Sequence, residues 1–224
     1  MLGQPLLFLV ALGFGFGPVF QEAGRGDYMT FLAPCVIAMS VLFTAMFAGI
    51  NVIWDRKFGF LKESLVAPVS RTNLLLGRTL GGALVATLQG VLVFTLTLFV
   101  GFRPDTWPSL IPAVGYIFLT ALLFTALGTA IATNLEDFQA FPLIMNFIIM
   151  PLFFLSGALF PLNNLPKGLL TVVKLDPMSY AVDGLRHTLT GAGTFGHATN
   201  IVVLASLTAI TLLIGGHLFN KIEF

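Results

Sequence analysis

The chain has 224 residues, of which 57% are hydrophobic and 9% are charged, and its formal net charge is +1. Soluble domains carry roughly 25% charged residues, so this composition leaves too little polar surface for a water-soluble fold. The near-zero net charge gives no reason to expect a nucleic-acid partner. The single cysteine, Cys35, excludes a disulfide within the chain and a cysteine-based metal site.

Six long stretches of the sequence contain no charged residue: 1–21, 28–54, 79–102, 106–135, 138–166 and 187–220. A helix crosses the hydrocarbon core of a bilayer with roughly 20 mostly apolar residues, so each stretch is long enough for one crossing. We therefore predict an all-α polytopic membrane protein with one transmembrane domain over residues 1–224. Its six predicted spans cover about 4–20, 31–53, 73–101, 110–133, 138–156 and 198–219.

The charges between the second and third spans predict the orientation in the membrane. Residues 55–78 carry five positive charges, against one in 21–30 and one in 102–109. The positive-inside rule places this loop in the cytoplasm, and with six spans both termini are then cytoplasmic. The external segment before the last span, which carries three basic residues, runs against the rule.

An amphipathic helix is predicted within the same loop. Phe58, Leu61 and Leu65 fall on one helical face, whereas Lys57, Lys62 and Glu63 lie elsewhere. Such a helix lies along a membrane surface or against a partner. Ser70 is then the predicted N-cap of the helix that leads into the third span.

The segment 157–192 is too apolar for an ordinary loop and too interrupted to span. It is rich in glycine, proline and asparagine, and Asp176–Pro177 divides it into two helical fragments. A re-entrant helical hairpin that dips into the outer leaflet before the last span satisfies both observations. Charges buried there need partners, so we predict a salt bridge or a backbone cap among Asp176, Asp183 and Arg186.

Several chemical signatures are missing from the sequence. No ionisable residue lies in the middle of a predicted span, so coupling to an ion gradient has no evident carrier. There is no phosphate-binding G-x-x-x-x-G-K-[ST] loop, and the three histidines form no metal-ligand pattern. We therefore predict no cofactor, no metal and no catalytic site. Asn51, Gln89 and Asn146 are interpreted as interhelical hydrogen-bond partners.

Three stretches of the chain resemble the ABC-2 type permeases, the membrane subunits of ATP-driven exporters. The most specific runs from Pro151 to Pro161 (PLFFLSGALFP) and continues through DPMSY at 176–180 and VDGLR at 182–186. The second is FLAP at 31–34, which opens the second span. The third is WDRK at 54–57 with APVSR at 67–71 and the Gly77–Arg78 pair. The branch that includes drug-resistance and lipo-oligosaccharide exporters is the most similar.

The resemblance implies a subunit that dimerises, with itself or with a related permease, and that pairs with a cytosolic P-loop ATPase. It implies a coupling segment at 55–71 that docks on the ATPase, with contact residues Arg56, Lys57, Phe58, Leu61, Lys62 and Glu63. It also implies that the re-entrant segment has a structural role, carried by Ser156, Gly157, Pro161, Asp176, Pro177, Asp183 and Arg186. The substrate would be a lipophilic drug or a lipid-linked glycan, exported across the plasma membrane.

One departure and two alternatives accompany this interpretation. The family usually begins with a cytoplasmic amphipathic helix, whereas the first span here starts at about residue 4, which leaves part of the expected ATPase contact open. A membrane scaffold without a transport path and an intramembrane enzyme are the alternatives. Neither alternative needs a P-loop ATPase in a neighbouring reading frame, so such a frame would favour the exporter.

Overall fold

The fold is a bundle of helices, and most of each long helix falls within one of the charge-free stretches. The computed structural model describes residues 3–22, 28–60, 70–135, 137–160 and 166–220, and no strand occurs in these ranges. The described α-helices are α1 (Gly3–Glu22), α2 (Tyr28–Phe47), α3 (Ile50–Lys57), α4 (Arg71–Phe99), α5 (Leu110–Thr133), α6 (Ala140–Leu155), α7 (Lys167–Leu175), α8 (Pro177–Thr190) and α9 (His197–Asn220), and a 3-10 turn at Trp107–Ser109 precedes α5.

Among the described residues, four helical segments are long and apolar enough to cross a membrane: Tyr28–Lys57, Arg71–Phe99, Trp107–Thr133 and His197–Phe219. They fall on the second, third, fourth and sixth predicted spans. The first and fifth correspond to shorter apolar helical stretches, Gly3–Pro18 and Ala140–Leu155. The all-helical fold class is confirmed, and the count of six spans stays a prediction.

The helices α2 and α5 form the centre of the bundle, and α4, α8 and α9 pack around them. Side chains of the central helices, such as Ile37 and Phe124, are fully buried. The outer helices instead expose large apolar side chains, including Leu88 of α4 (65% exposed) and Leu213 of α9 (75%). In a membrane such faces contact lipid, so α4 and α9 form the periphery of the domain.

The helix α2 begins earlier than the sequence indicates. It starts at Tyr28 rather than at 31, so Pro34 lies in its second turn and not at its opening. The reason is packing, because the Tyr28 ring is buried and lies 6.2 Å from the ring centroids of both Phe16 and Phe31. A contact with α1 thus extends the helix beyond the apolar run.

Two predicted local features are confirmed. The Ser70 hydroxyl oxygen accepts the Asn73 N–H at 3.3 Å and caps α4. The segment after α6 contains two helical fragments, α7 and α8, divided at Asp176. Both fragments are too short to span a bilayer at 1.5 Å per residue. Their position as a re-entrant hairpin in the outer leaflet stays a prediction.

Candidate functional site

A bend separates α2 from α3 at the end of the bundle that carries the coupling residues, here called the α3 end. At the bend, Ala48 and Gly49 interrupt the regular helix. Gly49 lies directly on the backbone of Gly128 in α5, and Gly128 lies in turn on the carbonyl of Met46. A β-carbon at either glycine would overlap backbone atoms, so the two helices cross there with no side chain between them.

Polar contacts then attach α3 to its neighbours. Asp55 forms an ion pair with Arg78 of α4. Arg56 donates from Nη2 to the Thr133 carbonyl at 3.4 Å, at the C-terminal end of α5, where a positive charge is favourable. The ring of Trp54 packs edge-on against Phe138, with the centroids 5.1 Å apart. α3 is therefore fixed to α4, to α5 and to the turn before α6.

The structure describes half of the predicted coupling residues. Arg56 and Lys57 form the last turn of α3, and Phe58 follows it with its side chain 59% exposed and 5.3 Å from the Trp54 ring. Of these, Arg56 is engaged within the bundle, whereas Lys57 and Phe58 face outward. Leu61, Lys62 and Glu63, and with them the predicted amphipathic helix, lie outside the described residues.

A cavity of about 260 Å³ lies between α1, α2 and α6. Its lining combines aromatic and apolar side chains with uncharged polar ones: Gln4, Pro5, Met39, Ser40, Phe43, Thr44, Phe47 and Asn146. We call it the α1–α2–α6 cavity. No charged side chain lines it, so its chemistry suits a neutral ligand with apolar surface and a few hydrogen-bonding groups.

The interpretation of Asn51, Gln89 and Asn146 as interhelical hydrogen-bond partners is not confirmed within the described residues of one chain. The Asn51 and Asn146 side chains are exposed, and neither has a hydrogen bond within the described structure. The Gln89 amide nitrogen is buried without a partner. Helix spacing cannot distinguish an amide that faces a neighbour from one that faces a cavity, and Asn146 faces the α1–α2–α6 cavity.

At the opposite end of the bundle, Arg186 of α8 is buried among α2 and the end of α6. It donates from Nη2 to the Cys35 sulfur at 3.0 Å and to the Gly157 carbonyl at 3.3 Å, and its guanidinium lies 4.2 Å from the centroid of the Phe31 ring. The Cys35 thiol in turn donates to the Ala158 carbonyl at 2.7 Å. The arginine thus ties α8 to the turn that ends α6.

The predicted residues Ser156 and Gly157 form that turn. The Ser156 hydroxyl donates to the Phe153 carbonyl at 2.7 Å, and Gly157 has a φ of 69°, in the left-handed region that favours glycine. Pro161 lies outside the described residues. The turn presents the Gly157 carbonyl to Arg186 and the Ala158 carbonyl to Cys35.

Asp183, three positions before Arg186 in α8, holds a second buried network. It accepts the backbone N–H groups of Thr194 at 2.6 Å and Phe195 at 3.1 Å, and the Asn200 side-chain amide at 2.9 Å. These bonds fasten the 191–196 loop and the start of α9 to α8. The sequence analysis missed Asn200, although a lone asparagine near the start of an apolar run was the available signal.

Asp176 and Pro177 begin α8. The Asp176 carboxylate accepts the Met178 N–H at 2.9 Å as an N-cap, and Pro177 occupies the first helical position, where its missing N–H is harmless. Burial raises the pKa of the Asp176 carboxyl to about 7. The predicted backbone cap is therefore confirmed, and within the described residues the three charged groups of this segment form no ion pair with one another.

Two histidines meet beside this network. The rings of His187 and His197 stack with centroids 3.9 Å apart, and His197 Nδ1 lies 3.1 Å from the Tyr116 hydroxyl. Across the described part of the chain, no three His, Cys, Asp or Glu side chains are placed to hold a metal ion. The stacked rings join α8 to α9, and the contact with the Tyr116 hydroxyl joins them to α5.

Comparison with known proteins gives a consistent result. A family model described as ABC-2 type transporter matches residues 1–190. Nodulation protein J of Rhizobium leguminosarum bv. trifolii is 30% identical over 192 residues, which cover 85% of this chain and 72% of that protein. The putative transport permease ycf38 of Pyropia yezoensis is 33% identical over 190 residues, which cover 82% of this chain and 64% of that protein. Nodulation protein J of Rhizobium leguminosarum bv. viciae is 26% identical over 222 residues, which cover 98% of this chain and 85% of that protein.

Proposed function

The chain belongs to the ABC-2 type transporter family, and from this premise we propose that it is the membrane permease subunit of an ATP-driven exporter. The family match over residues 1–190 is the observation that carries the proposal. The sequence has no phosphate-binding loop, so ATP hydrolysis takes place on a separate cytosolic P-loop ATPase. The subunit resides in the plasma membrane with both termini in the cytoplasm.

The α1–α2–α6 cavity supports a substrate path at a seam between two copies of the chain. The Gln4 and Asn146 amides that line it have no hydrogen bond within the described residues. The adjoining faces of α1 and α6 expose large side chains, including Leu7 (70%) and Phe147 (82%). Unpartnered amides are unfavourable against lipid, so this face is the one that a second copy, or a related permease, would cover.

The lining of the cavity supports a substrate class. Phe43 and Phe47 supply aromatic surface, while Asn146 and Thr44 supply hydrogen-bonding groups, and none of the lining residues is charged. A lipophilic drug or a lipid-linked glycan combines apolar surface with neutral polar groups in the same way. The proposed substrate is therefore one of these, taken from the cytoplasm or the inner leaflet and moved outward.

Coupling to the ATPase is assigned to the α3 end. Lys57 and Phe58 are exposed there, and the following residues Leu61, Lys62 and Glu63 continue the proposed docking segment. Arg56 has a different role, since it is bound to the end of α5 and would pass on a displacement of the segment. The outer-leaflet helices α7 and α8 are proposed to close the external end of the path.

The test is a proteoliposome assay with four arms: the chain alone, the chain with a proton gradient, the chain with its partner ATPase and ATP, and the same pair without ATP. We expect export of a fluorescent lipophilic substrate in the third arm only. Flux in the second arm would identify a secondary transporter, and silence in every arm, despite ATP hydrolysis by the partner, would identify a scaffold.

A pair of variants tests the path itself. Asn146→Leu removes an amide from the cavity at similar volume, and we expect export to fall by about tenfold, the factor for roughly 1.4 kcal/mol of lost binding. Thr95→Leu, a change on the exposed face of α4, serves as the matched control. Equal export by both variants would place the substrate path elsewhere in the domain.

A further inference from the structure

A second cavity, of about 380 Å³, opens at the α3 end between α2–α3, α4 and α5. We call it the α3 cavity. It differs from the α1–α2–α6 cavity because it contains one charge of each sign. Its lining residues are Ala48, Asn51, Val52, Asp55, Arg78, Gly81, Gly82 and Thr129. It is bordered by α4 and α5 rather than by α1 and α6, and it shares no lining residue with the proposed substrate path.

The polar groups of the α3 cavity have unused hydrogen-bonding capacity. Within the described structure, Arg78 donates only one bond, from Nη1 to Asp55, although a guanidinium has five N–H donors. Asp55 likewise has no second partner, and the exposed Asn51 amide has none. The Arg78 Nε–H is buried without a partner within the described residues. Such an unpartnered donor beside a cavity is unfavourable and indicates a polar ligand.

One glycine leaves the space that such a ligand needs. Gly81 lines the cavity, and a β-carbon built there would meet no atom within 4 Å. From this point the exposed face of α4 continues away from the α3 end through Leu84 and Leu88, which are apolar. The cavity is thus a charged recess at one end of an apolar helix face, as required by a molecule with a polar head and hydrocarbon chains.

We propose that the α3 cavity binds the head group of a phospholipid that contains both a phosphate and a primary ammonium group. The phosphate would accept from the remaining donors of Arg78 and from the Asn51 amide, and the ammonium would donate to the second oxygen of Asp55. The acyl chains would lie along Leu84 and Leu88. One charge of each sign in the lining matches a zwitterion and disfavours a head group that carries only negative charge.

This site is independent of the proposed transport activity, and its test needs no ATPase. Native mass spectrometry of the purified chain would compare phosphatidylethanolamine with phosphatidylcholine of identical acyl chains. The quaternary ammonium of phosphatidylcholine has no N–H to donate, so we expect phosphatidylethanolamine adducts to be favoured by about tenfold. Glycerophosphoethanolamine, the free head group, is the third ligand, and we expect it to bind more weakly because it lacks the acyl chains.

Two leucine substitutions one turn apart provide the matched variants. Gly81→Leu fills the cavity, whereas Gly77→Leu adds the same side chain at an exposed site outside the lining where no atom lies within 4 Å. We expect Gly81→Leu to lose the preference for phosphatidylethanolamine and Gly77→Leu to keep it. Asp55→Asn should reduce the preference without filling the cavity.

Three results would overturn the proposal. Equal adducts of the two lipids with the wild-type chain would show that head-group chemistry is not recognised. A preference that survives in Gly81→Leu would place the lipid elsewhere on the domain. Binding of glycerophosphoethanolamine as tight as that of the lipid would identify a site for a soluble phosphate ester instead. None of these results depends on whether the chain exports a substrate.

Discussion

At the residue scale, the buried charges of α8 contact backbone atoms and neutral side chains. Asp183 accepts three N–H groups from the 191–196 loop and Asn200, while Arg186 reaches a carbonyl, a thiol and an aromatic face. Asp183 and Arg186 have opposite charges and lie three positions apart, yet they bind different neighbours. Each charge holds one tertiary contact of α8 in place.

The pKa of Asp176 predicts a pH-dependent stability. In the folded protein the Asp176 carboxyl keeps its proton up to about pH 7, whereas in the unfolded chain it loses the proton at about pH 3.9. The free energy of unfolding should therefore fall as the pH rises through this window. We expect thermal unfolding in detergent to show a lower midpoint at about pH 8 than at about pH 5.

The Asp176→Asn variant is the control for this effect. Asparagine keeps an oxygen that accepts the Met178 N–H, so the cap remains, but it cannot titrate. The difference between the two midpoints should shrink in the variant. An identical difference in both proteins would assign the pH dependence to another group.

The contact between Gly49 and Gly128 predicts a second effect on stability. Gly128→Ala would place a β-carbon on the Met46 carbonyl, and overpacking of this kind destabilises by about 1–3 kcal/mol. Gly115→Ala in the same helix meets no atom within 4 Å, so it should be neutral or slightly stabilising, since alanine favours helices by about 1 kcal/mol. Denaturant or thermal unfolding of both variants measures the difference. Equal stability of the two would contradict the close crossing.

Local sequence explains which of these residues could be predicted. Ser70 and Asp176 cap helices that start within three residues of them, so their partners follow from the position of the helix start. The partners of Asp183 lie 11 to 17 positions away, and their approach depends on how the loop before α9 folds back. No periodicity in one segment contains that information.

At the element scale, the coupling segment makes the clearest functional prediction. Replacing Phe58 and Leu61 with aspartate should uncouple ATP hydrolysis from transport, because two apolar anchors of the proposed docking surface would become charged. The protein should still be made and inserted, since Phe58 is largely exposed. Substrate-stimulated ATPase activity at the wild-type level would contradict this role. Phe99→Asp, at an exposed site at the other end of α4, is the matched control.

The position of α7 and α8 is tested by labelling from outside the membrane. In a Cys35→Ser background, in which serine can still donate to the Ala158 carbonyl, a cysteine at Asn163 should react with an impermeant thiol reagent added externally. A cysteine at Leu175 should react less if that side chain faces lipid. Reaction from the cytoplasmic side alone would reverse the topology, and equal reaction at both sites would indicate an ordinary exposed loop.

The positions of the helices followed the charge-free stretches closely. A segment that crosses the hydrocarbon core must be apolar and must also be helical, so the apolar run predicts the helix. The helix ends did not follow them, since α2 continues to Tyr28 through a tertiary contact with α1. The bend before α3 was also missed, because nothing in the local sequence distinguishes Gly49 from other helical glycines. Its cause is the proximity of Gly128, 79 positions away.

At the scale of the whole molecule, the exposed face of α6 predicts the arrangement of two copies. A cysteine at Phe147, which is 82% exposed, should form a disulfide or a short maleimide crosslink between copies in the membrane. A cysteine at Leu88 of α4 should not, although that residue is also exposed. Crosslinking through Leu88 but not Phe147 would move the subunit contact to the opposite side of the domain.

The way α3 is attached has a mechanical consequence. The helix α3 rests on α5 where Gly49 contacts Gly128. It is bound further along through Asp55 and Arg56, so it can act as a short lever. The C-terminal end of α3, at Lys57 and Phe58, lies beyond both of these contacts. A force applied there would act as torque on α4 through Asp55 and on α5 through Arg56, so that a small stroke by a partner would tilt two helices of the bundle at once.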